Sequence, residues 1–203
     1  MKMNKKVMRM AINIDTEKLR YLFAGLEYEF DNWIYGVLNN SDDTPRYSAA
    51  EIAYIMGCYI SVMKYIDGKP PYVSVKEYFD DNAFTRKEYR RFERLKQLSK
   101  SDVIRRESTN IDKIKFLLET EKEEIVILIK NVVNDSETDP HYSAVTASNK
   151  IKCYIDVMNS LGEKLPFEDV IGFLESGGFT KEEQELFDRH RKTESEYYIG
   201  KRY

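Results

Sequence analysis

The sequence predicts an all-α protein in which two related helical bundles pack about a pseudo-two-fold axis. Three observations lead to this fold class. Apolar residues recur at steps of three and four along several segments, which is the spacing of an amphipathic helix. Side chains that cap helices precede several of these segments. The whole pattern occurs twice within the 203 residues, in units about as long as a small domain.

A constant offset of about 95 residues aligns the two halves of the chain without a gap. The offset places Tyr47-Ser48-Ala49 on Tyr142-Ser143-Ala144. From Tyr47 onward, about 16 of roughly 51 aligned positions are identical, where unrelated segments of this composition would share about 3 or 4. The sequence therefore predicts an internal duplication. Its parts are a first unit with an N-terminal extension at 1–97, a charged connector at 98–108, a second unit at 109–193 and a tail at 194–203.

Each unit is predicted to contain about four helices. In the first unit, an amphipathic stripe predicts a helix over about 16–38, and Ser48 begins the second helix in a capping box. Pro71 is predicted to open a short third helix, because proline is favoured at the first helical position. Thr85 is predicted to cap the last helix. The corresponding positions of the second unit are Ile114, Ser143, Pro166 and Thr180.

The two ends of the chain give different patterns. Met8, Met10, Ile12 and Ile14 alternate with polar or small residues, which predicts one short N-terminal strand. The tail at 194–203 is rich in tyrosine but has no helical periodicity.

Composition argues against several classes of function. The net charge is −3, and no apolar stretch reaches the length of about 18 residues that a membrane-spanning helix needs. Residues 1–10 lack the apolar region of a secretory signal, so we expect a cytoplasmic protein without membrane association. Cys58 and Cys153 lie in apolar helical patterns and are expected to be reduced and buried. Since His141 and His190 occupy unrelated positions in the two units, we expect no catalytic residue, no metal and no cofactor.

Tyrosine is abundant, with 15 residues that are concentrated in the first unit. Core positions should remain apolar in both copies, so a tyrosine that the second copy replaces with a polar residue is a candidate for recognition. Tyrosine offers a large contact area at small entropic cost and is enriched at interfaces. The candidate protein-binding residues are Tyr35, Tyr54, Tyr65 and Tyr89, which align with Lys130, Asn149, Ser160 and Gln184.

Basic residues are concentrated in the last helix of the first unit. The candidate nucleic-acid-binding residues are Arg86, Arg90, Arg91 and Arg94, and three of them recur at four-residue steps along one helical face. Glu88 and Glu93 interrupt the run, so a solvated face with internal ion pairs is the competing interpretation.

Three functions follow in order of preference. The first is a non-enzymatic protein-binding protein, an inhibitor or adaptor, of the size and composition of a phage or mobile-element accessory protein that opposes a host defence nuclease. The alternative is a nucleic-acid-binding protein that uses the basic helix around residues 86–106. The third is an enzyme with an unrecognised site. No sequence feature specifies the partner or the oligomeric state.

Overall fold

The computed structural model describes residues 14–39, 47–67, 70–99, 109–135 and 141–200. Within these ranges the secondary structure consists of helices without a strand, which confirms the all-α prediction. The predicted N-terminal strand lies outside the described residues except for Ile14, which precedes the first helix. The helices are α1 (Thr16–Asn39), α2 (Ala49–Asp67), α3 (Val75–Asp81), α4 (Arg86–Leu98), α5 (Asn110–Val133), α6 (Ala144–Ser160), α7 (Val170–Ser176) and α8 (Lys181–Gly200).

The long helices α1, α2, α5 and α6 form the centre of the molecule. Helix α1 packs on α2, α5 and α6, and α5 also packs on α2 and α6. Helix α4 lies across α1 and α2, while α8 lies across α5 and α6. The short helices α3 and α7 pack against α2 and α6, respectively. The buried apolar side chains form one connected core that includes residues from both predicted units.

Capping side chains begin the helices where the sequence predicted them. The backbone amide of Glu51 donates to the Ser48 hydroxyl at 3.3 Å, and the Glu51 carboxylate accepts from the Ser48 amide at 2.7 Å. Thr85 precedes α4 in a complete capping box with Glu88. The amide of Thr180 donates to the Glu183 carboxylate at 2.7 Å at the start of α8. These reciprocal bonds satisfy amides that have no partner within the helix.

The prediction that Pro71 and Pro166 open the short helices is wrong. Helix α3 begins after Ser74, whose hydroxyl accepts a hydrogen bond from the amide of Glu77. Helix α7 begins after Asp169, whose carboxylate accepts from the amide of Gly172 at 2.8 Å. The helices start at these side chains because serine and aspartate supply an acceptor for a free amide, which proline cannot do.

Helix α8 does not end where the tail was predicted to begin, but continues to Gly200. Within this extension, Glu194 accepts a hydrogen bond from the Ser143 hydroxyl at 2.5 Å and another from the amide of Val145 at 3.1 Å. Its carboxylate therefore satisfies the N-terminus of α6, where Thr146 stands in place of a capping glutamate.

Replacing Glu194 with alanine is expected to lower the free energy of unfolding by about 1 kcal/mol, the usual cost of losing a helix cap. Chemical denaturation monitored by circular dichroism measures this change. Glu196→Ala, an exposed residue of the same helix, is the matched control and should leave stability unchanged. Equal stability of the two variants would contradict the capping role.

Candidate interaction surfaces

Two of the four predicted tyrosines lie in one aromatic patch. Tyr35, near the end of α1, is 43% exposed, and its ring centroid is 4.9 Å from that of Phe84. The half-buried Tyr89 of α4 contacts Phe79 at 5.3 Å, and Phe79 contacts Phe84 at 4.8 Å. The aromatic rings thus connect Tyr35 to Tyr89 through the core, with Tyr35 at the outer end.

The other two predicted tyrosines lie elsewhere. Tyr54 of α2 is half-buried, and its ring packs edge-on against Phe116 of α5 at 5.0 Å. Its contacts are those of a residue that joins two helices of the fold. Tyr65 is 56% exposed near the end of α2. The four residues therefore do not form one continuous surface.

A stripe of tyrosines on α1 was only partly found from the sequence. Tyr21, Tyr28 and Tyr35 recur at seven-residue intervals, which is two helical turns, and are 41%, 78% and 43% exposed. We call these three residues the tyrosine stripe. The signal that could have found it was present, because Tyr28 aligns with Glu123 and so meets the same replacement criterion as Tyr35.

The four predicted arginines all lie on the exposed face of α4, together with Lys87. The opposite face of the helix buries Phe92 in the core. We call Arg86, Lys87, Arg90, Arg91 and Arg94 the basic face. Among the described residues, none of these five side chains forms an ion pair.

The acidic residues of α4 do not neutralise the basic face. Glu88 is held by Thr85 at the N-terminus, and hydrogen bonds from Thr85 lower the pKa of its carboxyl. Glu93 pairs with Lys96 at 2.6 Å. The residues 95 positions later, on α8, are Lys181, Glu182, Glu185, Leu186 and Arg189, and only two of these five are basic.

Helices α6, α7 and α8 line an open groove. Its volume is about 860 Å³, and its apolar floor includes Ile155, Leu174 and Phe187. Gln184 stands at the position aligned with Tyr89, and its amide donates to the carbonyl of Phe179 at 2.8 Å. The two residues that the predicted offset aligns, Tyr89 and Gln184, thus have different surroundings.

The two cysteines are free thiols in different environments. Cys58 is buried as predicted, whereas Cys153 is half-buried, and burial raises the pKa of each thiol. A raised thiol pKa lowers the thiolate fraction, so neither side chain has the character of an activated nucleophile.

The described residues contain no group of three or more histidine, cysteine, aspartate or glutamate side chains placed to hold a metal ion. None of the described helices combines the length and apolar character needed to cross a membrane. The chain matches no protein-family model, and comparisons with curated proteins and with solved structures give no match either.

Proposed function

We propose that the protein is a non-enzymatic inhibitor or adaptor that docks a protein partner through the tyrosine stripe. The observation that carries the proposal is the exposure of Tyr28, which is 78% accessible on a helix whose opposite face is buried in the core. An aromatic ring on a rigid helix loses little entropy when a partner covers it. Tyr21 and Tyr35 lie about two helical turns before and after Tyr28, so they extend the proposed contact with the partner along α1.

The proposal predicts that Tyr28→Ala weakens the partner complex by about tenfold or more, because buried aromatic residues dominate binding energy at interfaces. Pull-down from a host lysate with the purified full chain, followed by titration of the captured protein, measures the loss. Tyr35→Ala and Tyr65→Ala test the two exposed residues among the four tyrosines predicted from the sequence. Tyr142→Ala, at an exposed tyrosine of the second unit, is the matched control. Capture that is unaffected by Tyr28→Ala and Tyr35→Ala would contradict the tyrosine stripe.

The partner class that we propose is a host defence nuclease, opposed in the cytoplasm by a phage or mobile-element accessory protein. The small size, mixed charge and absence of a catalytic motif support such a role. Identification of the captured protein by mass spectrometry tests the class directly. A captured protein of another class would replace this partner while leaving the stripe as the docking surface.

We further propose that the chain arose by tandem duplication and has pseudo-two-fold symmetry. The support comes from the helix limits, since α3 (Val75–Asp81) and α7 (Val170–Ser176) are related by the alignment offset, as are the first residues of α4 and α8. The packing pairs support it as well, because α1 on α6 corresponds to α5 on α2. A fused pair resembles a covalent homodimer, in which the linker keeps one half close to the other.

Nucleic-acid binding through the basic face is the second candidate, favoured by five exposed cationic side chains of α4 that form no ion pair with another described residue. It predicts an affinity that falls steeply with salt, because bound phosphates release counterions. Fluorescence anisotropy with labelled single- and double-stranded DNA at low and physiological salt measures this slope. The quadruple change of Arg86, Arg90, Arg91 and Arg94 to Gln should reduce the slope by up to about 4. Lys181→Gln with Arg189→Gln on α8 is the control, and absence of binding at low salt would exclude the candidate.

A further inference from the structure

Two carboxylates on α1 lie beside buried tyrosines. Glu27 and Asp31 are one helical turn apart and half-buried. The Tyr59 hydroxyl donates to Glu27 Oε2 at 2.5 Å, and the Tyr78 hydroxyl donates to Asp31 Oδ1 at 2.8 Å. The two tyrosines come from α2 and α3, so the carboxylates lie where three helices meet.

A third tyrosine belongs to the same group. Tyr72 is 3% exposed, and its ring stacks on Tyr59 at 6.0 Å and meets Tyr78 edge-on at 4.8 Å. Within the described part of the chain, its buried hydroxyl has no hydrogen-bond partner. Burial raises the pKa of this hydroxyl, and the nearby Tyr59 and Glu27 raise it further. A buried hydroxyl without a partner is costly and points to a ligand that completes the group.

The part of the chain that the structure describes supplies no cation to the group. Among the described residues, neither Glu27 nor Asp31 forms an ion pair, and the nearby Asp67 is occupied by Arg20. Each carboxylate accepts one hydrogen bond from a tyrosine hydroxyl. Its second oxygen, Oε1 of Glu27 or Oδ2 of Asp31, has no donor among the described residues. Two half-buried carboxylates to which no described residue supplies a cation favour the binding of a positive group.

The aligned residues of the second unit show which features of this group the aromatic packing requires. The aligned residues are Lys122, Val126, Tyr154, Phe167 and Phe173. Phe167 contacts both Tyr154 and Phe173, just as Tyr72 contacts both Tyr59 and Tyr78. Phenylalanine thus suffices for the packing, so the additional hydroxyls and carboxylates of the first unit require another explanation.

We propose that Glu27, Asp31 and their three tyrosines form a binding site for the arginine or lysine side chain of a protein partner. The proposal rests on the proposed function and deepens it, because Tyr28 lies on the same helix, one residue after Glu27 and three before Asp31. A guanidinium group can donate to two carboxylates at once, and aromatic rings attract it. Calcium is a poorer fit, because it takes six to eight oxygen ligands.

The test is a titration of the full chain with agmatine, which carries a guanidinium and an ammonium group. Protein labelled with carbon-13 at the tyrosine ζ position reports the site by NMR. We expect saturable shifts of the Tyr59 and Tyr78 signals with a dissociation constant on the order of 1 mM, as suits a small fragment. Glu27→Gln combined with Asp31→Asn should weaken binding at least tenfold. Tyr72→Phe, which reproduces Phe167, should fold normally and weaken binding less.

Glu119→Gln is the matched control, because Glu119 accepts from Tyr154 at 3.3 Å in the second unit, and it should bind agmatine normally. Absence of saturable chemical-shift changes at matched ionic strength would overturn the proposed cation site. Larger chemical-shift changes with calcium chloride than with agmatine would overturn it as well. Partner capture distinguishes the two proposals. If capture depends on Tyr28 but not on Glu27 and Asp31, the cation site is wrong and the docking function stands. If agmatine binds but no partner is captured, the site stands without the proposed function.

Discussion

Replacement of Lys150 with methionine is expected to lower the free energy of unfolding by about 3–5 kcal/mol. Lys150 of α6 donates to Glu121 Oε1 of α5 at 2.5 Å, and the Glu121 side chain is fully buried. Methionine fills a similar volume but leaves the carboxylate without its cation in a medium of low polarity. Urea denaturation at pH 8, where the carboxylate is most fully charged, measures the loss.

Changing both partners together should remove the destabilisation or turn it into a stabilisation. The proposed duplication pairs these residues with Leu26 and Ile55, which are both buried and apolar. The free energy of unfolding of the double variant Glu121→Leu with Lys150→Ile should equal that of the parent protein or exceed it by up to about 4 kcal/mol. The reason is that the variant removes the desolvation cost of two charges. If Lys150→Met alone leaves stability unchanged, the ion pair does not stabilise the contact of α5 with α6.

The second large effect is a dependence of stability on pH. Burial, opposed by Lys150, raises the pKa of Glu121 from 4.5 to about 7. The folded protein then holds the proton more tightly than the unfolded chain, so stability falls as the pH rises from about 4.5 to about 7. At about 1.4 kcal/mol per pH unit, Glu121 accounts for a loss of about 3 kcal/mol over this interval.

Glu121→Gln should remove this loss, and the difference in unfolding free energy between variant and parent at pH 4.5 and pH 8 measures it. Glu88→Gln is the control, because Glu88 gives stability the opposite dependence on pH. Hydrogen bonds from Thr85 lower the pKa of Glu88, so its contribution is lost as the pH falls. If the difference in unfolding free energy between Glu121→Gln and the parent does not change with pH, Glu121 is not the source of the pH dependence.

Local interactions explain which parts of the fold could be predicted from sequence. The stripe on α1, the Thr85 capping box and the Thr180 capping pair each involve residues within a few positions of one another. The energies that decide them arise inside one helix, so the sequence contains all the relevant partners. The short helices were misplaced because proline and a nearby capping residue competed, and the side-chain acceptor decided the start.

The candidate surfaces were predicted only in part. Exposure of the basic face could be expected from its four-residue spacing. Glu88 and Glu93 do not pair with that face because their carboxylates bind Thr85 and Lys96. Tyr54 met the replacement criterion, yet its ring lies against Phe116 of another helix. A tyrosine at a helix contact and one at the surface have the same appearance in a sequence.

The sequence by itself determined the helices, most of their caps and the apolar stripes, because these depend on neighbours along the chain. Tertiary structure alone decided three features. Glu194 caps α6 from 51 positions beyond Ser143, and Glu121 meets Lys150 across a helix contact. Gly25 of α1 leaves room for the Lys150 ammonium group, since a Cβ atom at Gly25 would lie 2.3 Å from Nζ. Each depends on a partner that folding brings close in space, and burial sets its free energy.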